Sequence, residues 1–331
     1  MRIAVLGAGA WGTALAIALA RKHQVTLWGR DATQMQRISA SRTNEKYLPG
    51  ITLDSAISVN ASFSGALADA HLALIVTSTS GLPETVAATL AESRRAAGVV
   101  PIIWACKGFD KLTGKLPHET IAALVPPDAK YGALSGPSFA NEVANGLPCA
   151  LTLAANDESF SAETAAALNN HALRVYSSSD LIGVELGGAL KNVMAIAAGI
   201  SDGMQLGLNA RAALITRGLA EMVRLGVAMG GKPETFMGLT GMGDLILTAT
   251  GSLSRNRKVG MLLAEGKSLG DVLRDLGHVA EGVNSAAAAL ALAHKHNVNM
   301  PITEAVNAVL FHDADPRDAV KALLAREAKA E

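Results

Sequence analysis

Short apolar runs recur along the first half of the chain, and most are separated by helical patterns or polar loops. These runs occupy residues 3–6, 25–28, 72–77, 99–105, 133–135 and 150–154. Alternation of this kind predicts a mostly parallel sheet covered by helices. From about Ser177 to Ala328 the pattern changes to alanine- and leucine-rich helical segments. The chain is therefore predicted to combine an α/β domain at residues 1–180 with an all-α domain at residues 181–331.

The first apolar run leads directly into a glycine-rich turn. Gly7, Gly9 and Gly12 form a G-x-G-x-x-G motif that encloses Ala10 and Trp11, and an apolar helix follows from Thr13 to Arg21. In this context the glycines allow a tight turn, close approach of a pyrophosphate and close helix–strand packing. A secretory signal is the alternative, but glycines interrupt the run where a signal would be continuously apolar. We predict a Rossmann-type dinucleotide-binding domain.

In such a sheet, ligands bind beyond the carboxyl ends of the strands. Arg30 follows the second strand, where an acidic residue would hold the ribose of NAD and an arginine would meet the 2′-phosphate of NADP. This position favours NADP. In the alternative interpretations Arg30 is an ordinary surface cation, or Asp31 beside it serves NAD.

Two further strand ends carry candidate binding groups. Lys107 follows the fourth strand, where a flexible ammonium can reach a cofactor and a phosphorylated substrate, unless it is only a solvated lysine. Gly136, Pro137 and Ser138 follow a later strand. They could equally form a turn into a helix over 139–144, with Pro137 near its first position.

One helix of the second half is apolar or small on nearly all sides. It runs from Val184 to Ile200, and its charged or amide side chains are Glu185, Lys191 and Asn192. Such a helix is expected to be buried. A buried lysine is rare unless it is paired or functional, and burial with a nearby cation would lower its pKa toward that of a general base. Lys191 is thus the candidate acid–base residue, with a structural ion pair to Glu185 or Asp244 as the alternative.

Polar motifs follow that helix in the sequence. Asp244 and Thr248 lie one helical turn apart, so Asp244 could orient Lys191 while Thr248 contacts the substrate. Ser254 can cap a helix that runs through Leu263. The start of this helix, with the guanidinium of Arg255 and the amide of Asn256, is suited to binding an anion. A solvated basic face is expected for Arg257 and Lys258 and is the alternative interpretation of Arg255. Glu281 precedes another helix and needs no function beyond a helix-start carboxylate.

Composition narrows the class of partner. The 331 residues include 29 basic and 29 acidic side chains, and this balance argues against a nucleic-acid or membrane surface as the main partner. The two cysteines, Cys106 and Cys149, suit a reducing cytoplasm. The histidines show no metal-binding spacing, and no segment is an uninterrupted apolar span, so neither a metal nor an integral membrane segment is expected.

The ordered motifs together resemble the bacterial NAD(P)-dependent glycerol-3-phosphate dehydrogenases. The matching segments span the whole chain and are GAGAWGTALA, WACKG, SGPSFANEV, VELGGALKNV, NARAALITRGLAEM, GMGDLILT, SRNR, VAEG and MPITEAV. Departures are small: Ala10 stands where the family often has serine, Cys106 where threonine is usual and Ser138 where threonine is frequent.

The resemblance implies the interconversion of sn-glycerol 3-phosphate and dihydroxyacetone phosphate with NADPH or NADH, for phospholipid synthesis. Lys191 would be the proton acceptor. The implied substrate-binding residues are Lys107, Gly136, Ser138, Lys191, Asp244, Ser254, Arg255 and Asn256. The implied cofactor-binding residues are Gly7, Gly9, Ala10, Trp11, Gly12, Arg30, Lys107, Ala140, Arg255, Val279 and Glu281. We expect a cytoplasmic homodimer acting on a small phosphorylated substrate.

Three other functions share part of this pattern. Reductases of ketopantoate or of β-hydroxyacids also have a helical second domain, but they have no need of a phosphate site at Arg255 and Asn256. A non-catalytic NADPH sensor would not need a buried lysine. An enzyme that forms a Schiff base at Lys191 would be trapped by borohydride.

Overall fold

The chain divides into two compact units. The structure is a computed structural model that describes residues 1–95, 98–276 and 280–325. One unit comprises residues 1–107 and 116–184, and the other comprises residues 108–115 and 185–331.

The first unit is built on a sheet of eight strands within the described ranges, with a two-stranded ribbon beside it. The strands are β1 (Arg2–Leu6), β2 (Gln24–Trp28), β3 (Thr43–Asn44), β4 (Leu48–Thr52), β5 (Ile57–Asn60), β6 (Leu72–Ile75), β7 (Ile102–Trp104), β8 (Tyr131–Ser135), β9 (Cys149–Ala155) and β10 (Leu173–Ser178). The order in the large sheet is β10-β9-β8-β7-β6-β1-β2-β5, and β3 pairs with β4. Neighbouring strands of the large sheet are parallel except β8 and β9, which are antiparallel. The predicted mostly parallel sheet is confirmed.

Helices connect these strands. They are α1 (Ala10–Ala20), α2 (Ala32–Ser41), α3 (Phe63–Leu67), α4 (Leu82–Arg95), α5 (Pro117–Ala122), α6 (Ala140–Ala144) and α7 (Glu158–Leu168). A single 3-10 turn, Thr79–Gly81, precedes α4. Successive β1 side chains enter different clusters: Ile3 and Val5 pack with Leu15 of α1, whereas Leu6 packs with Val86 of α4. Because side chains of a strand alternate between faces, both faces of the sheet are covered.

The regular secondary structure in the described residues of the second unit is helical, as predicted. Its helices are α8 (Leu181–Gly203), which begins in the first unit, α9 (Gly207–Ala228), α10 (Pro233–Met237), α11 (Asp244–Thr250), α12 (Arg255–Ala264), α13 (Leu269–Leu276), α14 (Glu281–Lys295), α15 (Pro301–Phe311) and α16 (Pro316–Leu324). A π-helical turn, Leu239–Gly243, leads into α11.

Helix α8 is long and apolar enough to cross a membrane by length and hydropathy alone. However, 89% of its most apolar 18-residue window is buried inside the protein. The burial predicted from the composition of this helix is therefore present, and its apolar surface is used for packing.

Candidate active site

The glycine turn between β1 and α1 has the geometry that its sequence predicts. Gly7 has a φ of +133°, and a Cβ atom at Gly12 would lie 1.8 Å from the carbonyl oxygen of Gly7. A Cβ atom at Gly9 would instead meet no heavy atom within 4 Å. Gly9 is the N-cap residue of α1, where no side chain caps the helix and the first turn has no acidic residue. An open, uncapped helix start fits a dinucleotide pyrophosphate.

Two amide side chains hydrogen-bond to the backbone of this turn. Asn44 Nδ2 and Gln34 Nε2 each donate to the carbonyl oxygen of Ala8 at 3.0 Å. Asn44 is buried, and its Nδ2 also lies 2.7 Å from Thr13 Oγ1. Sequence reasoning missed Asn44 and Gln34, because neither stands in the fingerprint. Both amides bond at Ala8, and the space beside the Cα atom of Gly9 stays open for a ligand.

The remaining cofactor candidates of the first unit lie at helix starts and at the end of β2. Ala10 and Trp11 begin α1, and Ala140 is the first residue of α6. Arg30 is exposed after β2 and has no ion-pair partner among the described residues. Asp31 accepts a hydrogen bond from the backbone N–H of Gln34 at 3.0 Å and caps α2. One oxygen of this exposed carboxylate is thus used by the helix.

Lys107, Gly136 and Ser138 are brought together beyond β7 and β8. Lys107 Nζ donates to the carbonyl oxygen of Gly136 at 2.9 Å, and Ser138 Oγ donates to the same oxygen at 3.0 Å. Gly136 has a φ of +136°, which L side chains rarely adopt. The helix expected over 139–144 is present as α6, with Phe139 as its N-cap, and Pro137 lies three residues before Ala140, the first helical residue.

In the second unit, Lys191 projects from α8 into a buried polar cluster. Its Nζ donates to Asp244 Oδ1 at 2.5 Å and to Thr248 Oγ1 at 2.9 Å. Thr248 Oγ1 donates to the backbone carbonyl of Asp244 at 2.6 Å. All three residues are buried. The cluster therefore places the lysine nitrogen against a carboxylate and a hydroxyl, away from water.

Glycine allows α8 to approach the segment that carries Asp244. A Cβ atom at Gly187 would lie 2.6 Å from the carbonyl oxygen of Thr240 in the π-helical turn. Turns of this type interrupt α-helices frequently at functional sites. The turn ends at Gly243, directly before Asp244.

The start of α12 carries further candidate residues of the second unit. Ser254 Oγ accepts from the backbone N–H of Arg257 at 3.2 Å, which confirms the predicted cap. Arg255 is exposed, and its guanidinium has no ion-pair partner in the described ranges. Asn256 is buried: its Nδ2 donates to Asn192 Oδ1 at 2.9 Å, and its Oδ1 accepts from the N–H of Gly282 at 3.0 Å.

The structure corrects the expectation for Arg257. Its side chain is only 17% exposed and its Nε donates to Asp202 Oδ2 at 2.6 Å, so it does not belong to a solvated basic face. Lys258 is exposed, as expected. Asp202 stands in none of the recognised motifs, and neither it nor Asn192 was predicted as a site residue, although Asn192 adjoins Lys191 on an apolar helix.

The last two cofactor candidates belong to the segment before α14. Glu281 is the first residue of that helix, and Ala280 is its N-cap. Val279 lies outside the described residues. Among those that are described, no group of three histidine, cysteine, aspartate or glutamate side chains could hold a metal ion.

Two family models cover most of the chain. The model described as NAD-dependent glycerol-3-phosphate dehydrogenase N-terminus matches residues 2–161, and the corresponding C-terminus model matches residues 180–321.

Individual relatives of the same family align with this chain over nearly their whole length. Proteins named glycerol-3-phosphate dehydrogenase [NAD(P)+] from Ralstonia nicotianae and Aromatoleum aromaticum are 56% and 55% identical. The alignments cover all of this chain and 99% and 100% of the relatives. The crystal structure of glycerol-3-phosphate dehydrogenase from Coxiella burnetii superposes with a TM-score of 0.92 at 41% identity, covering 98% of this chain and 99% of that one. The chain belongs to the NAD-dependent glycerol-3-phosphate dehydrogenase family.

Proposed function

We propose that the protein interconverts sn-glycerol 3-phosphate and dihydroxyacetone phosphate with NADPH or NADH. The observation that carries this proposal is the buried Lys191–Asp244–Thr248 cluster in a chain with an open dinucleotide turn at Gly9. When bound, the nicotinamide exchanges a hydride with carbon 2 of the substrate. The residues of the chain must then bind both molecules and move one proton at the oxygen on that carbon.

Lys191 performs the proton transfer in this proposal. In reduction, its ammonium donates a proton to the carbonyl oxygen as that oxygen gains negative charge. In oxidation, the neutral amine accepts the proton of the secondary hydroxyl. Asp244 and Thr248 hold Nζ in place through the 2.5 Å and 2.9 Å contacts. A positioned acid or base of this kind accelerates a reaction by roughly 10²- to 10⁴-fold.

The phosphate group requires an anion site, and the start of α12 supplies one. Ser254 and the exposed guanidinium of Arg255 lie at a helix N-terminus, whose partial positive charge favours an anion. Lys107 and Ser138, gathered around the Gly136 carbonyl in the first unit, are proposed as further substrate contacts, and Lys107 also as a cofactor contact.

NADPH is proposed as the preferred cofactor. Arg30 offers an exposed guanidinium to the 2′-phosphate, whereas the Asp31 carboxylate, which could have held a ribose, caps α2. Trp11, Ala140, Arg255, Val279 and Glu281 are proposed to complete the cofactor site.

The remaining assignments concern the whole protein. Residues 1–180 are proposed as the dinucleotide-binding domain and residues 181–331 as the substrate domain. The proposed setting is the cytoplasm, where a homodimer supplies glycerol 3-phosphate for phospholipid synthesis.

The first experiment follows nicotinamide absorbance with purified protein, dihydroxyacetone phosphate and either NADPH or NADH at matched concentration. Oxidation of the cofactor, faster with NADPH, is expected. Binding of NADPH without its oxidation would contradict the proposed reaction and favour a sensor or a reductase of another substrate. In a separate test, borohydride with the carbonyl substrate should trap no covalent adduct.

A further inference from the structure

A second ion-pair cluster, which the proposed chemistry does not use, is centred on Asp202, near the C-terminal end of α8. Asp202 accepts from Arg257 Nε at 2.6 Å and from Arg211 Nη1 at 3.2 Å through each of its carboxylate oxygens. We call Asp202, Arg211 and Arg257 the Asp202 cluster. The three side chains are 13%, 22% and 17% exposed, so they are largely withdrawn from water.

The Asp202 cluster stands where α8 and α12 cross in direct backbone contact. A Cβ atom at Gly199 would lie 2.0 Å from the carbonyl oxygen of Arg257, and one at Gly260 would lie 2.0 Å from that of Ile196. Two helices can approach this closely only where glycine faces the partner backbone. The glycines set how near the helices lie, but they provide no directional bond that fixes rotation or sliding of α12.

Directional bonds come from polar contacts at the start of α12. The Asn256 side chain bonds to Asn192 and to the backbone of Gly282. The next residue, Arg257, bonds through its side chain to Asp202 and through its N–H to the Ser254 cap. Ser254 and Arg255 are therefore followed directly by two residues, Asn256 and Arg257, whose side chains bond to α8.

We propose that Asp202 is a positioning residue for the phosphate anchor. It holds Arg257 and thereby fixes the first turn of α12, with Ser254 and Arg255, relative to Lys191 on the same α8 helix. It also engages the guanidinium of Arg257, whereas the guanidinium of Arg255 stays exposed for the phosphate. This inference rests on the proposed phosphate site at Ser254 and Arg255.

The test compares a substrate that has the phosphate with one that lacks it. Asp202→Asn should lower kcat/KM for dihydroxyacetone phosphate by about tenfold or more, mainly through a higher KM, because a hydrogen bond between charged groups is lost. The kcat/KM for dihydroxyacetone, which presents the same carbonyl without the anion, should stay within about twofold. NADPH is kept saturating in both assays.

A matched control and a milder variant complete the design. Asp275→Asn breaks an exposed ion pair with Lys267 in the same unit and should change neither substrate. Arg257→Lys keeps the positive charge but loses the Nε contact, and it should shift the ratio of the two kcat/KM values in the same direction. It serves as the test if Asp202→Asn does not fold.

The outcomes distinguish failure of the positioning role from failure of the proposed phosphate site. Equal losses with both substrates, or an unchanged ratio, would overturn the positioning role of Asp202. If the wild-type protein itself fails to prefer the phosphorylated substrate, the proposed phosphate site fails, and the inference fails with it.

Discussion

Lys191 Nζ is held by hydrogen bonds to Asp244 Oδ1 and Thr248 Oγ1, and its proposed role can be tested by substitution. Lys191→Met should reduce turnover by about a hundredfold or more because the proton donor is gone. The dissociation constant of NADPH, measured by fluorescence titration, should remain within about twofold, since Lys191 is not among the proposed cofactor contacts.

Removal of Lys191 leaves the Asp244 carboxylate buried without its cation, which destabilises a protein by about 3–5 kcal/mol. The Lys191→Met/Asp244→Asn double variant removes that charge and should recover stability without recovering turnover. Lys267→Met, at an exposed lysine of the same unit, is the control. Parallel losses of turnover and of NADPH affinity would count against the acid–base role.

Arg30 permits a second test on a single side chain. Arg30→Asp should lower the ratio of kcat/KM with NADPH to that with NADH by more than about tenfold, because a carboxylate repels the 2′-phosphate that a guanidinium would hold. Arg37→Asp, at an exposed position of α2, is the matched control. An unchanged ratio in the Arg30 variant would remove this residue from the 2′-phosphate contact.

At the scale of elements, sequence pattern predicted the buried segments best. β1, β2 and the buried helix α8 were predicted because continuous apolar or small residues are a strong signal. The edge strands β5 and β10 were not predicted: each is exposed along one side, and ISVN and LRVYSS contain too few apolar residues to form a run. The family and the fold class are confirmed.

Contacts between distant segments were harder to predict than elements. The sequence singled out Lys191 and Asp244 separately, and their pairing remained one of two alternatives. The Asn44 and Gln34 contacts to Ala8 depend on how the β3–β4 ribbon and α2 fold against the glycine turn, which no local pattern encodes. Arg257 looked like its basic neighbours, since only the packing of α12 on α8 brings Asp202 to it.

At the scale of the whole molecule, one buried carboxylate links stability to pH. Glu221 of α9 accepts from the backbone N–H groups of Ile302 and Thr303 at 2.6 Å and 3.2 Å, and so caps α15 from a distance. Burial raises the pKa of Glu221 above its ordinary value of 4.5, although these hydrogen bonds oppose the shift. The native state therefore binds this proton more tightly than the unfolded chain does.

Stability from this group is present below the ordinary pKa and is lost as pH rises through the higher native pKa. The free energy of unfolding of the wild type minus that of Glu221→Gln should thus fall as pH increases from about 5 to about 8. Urea denaturation at each pH measures the difference. Glu234→Gln, at an exposed helix start, should give a difference that does not follow this trend. A flat or rising difference for Glu221→Gln would contradict the raised pKa.

The backbone contact between α8 and α12 has a consequence for how such an enzyme can evolve. Cofactor preference, as proposed, depends on one solvent-facing side chain and can drift by single substitutions at Arg30. The spacing between Lys191 and the start of α12 is instead set where Gly199 and Gly260 meet main-chain atoms, and a Cβ atom at either position would force the two helices apart. Adaptation to a longer phosphorylated alcohol would require both helices to be rebuilt together. The preference between NADPH and NADH is thus easier to change in this fold than the length of substrate that it accepts.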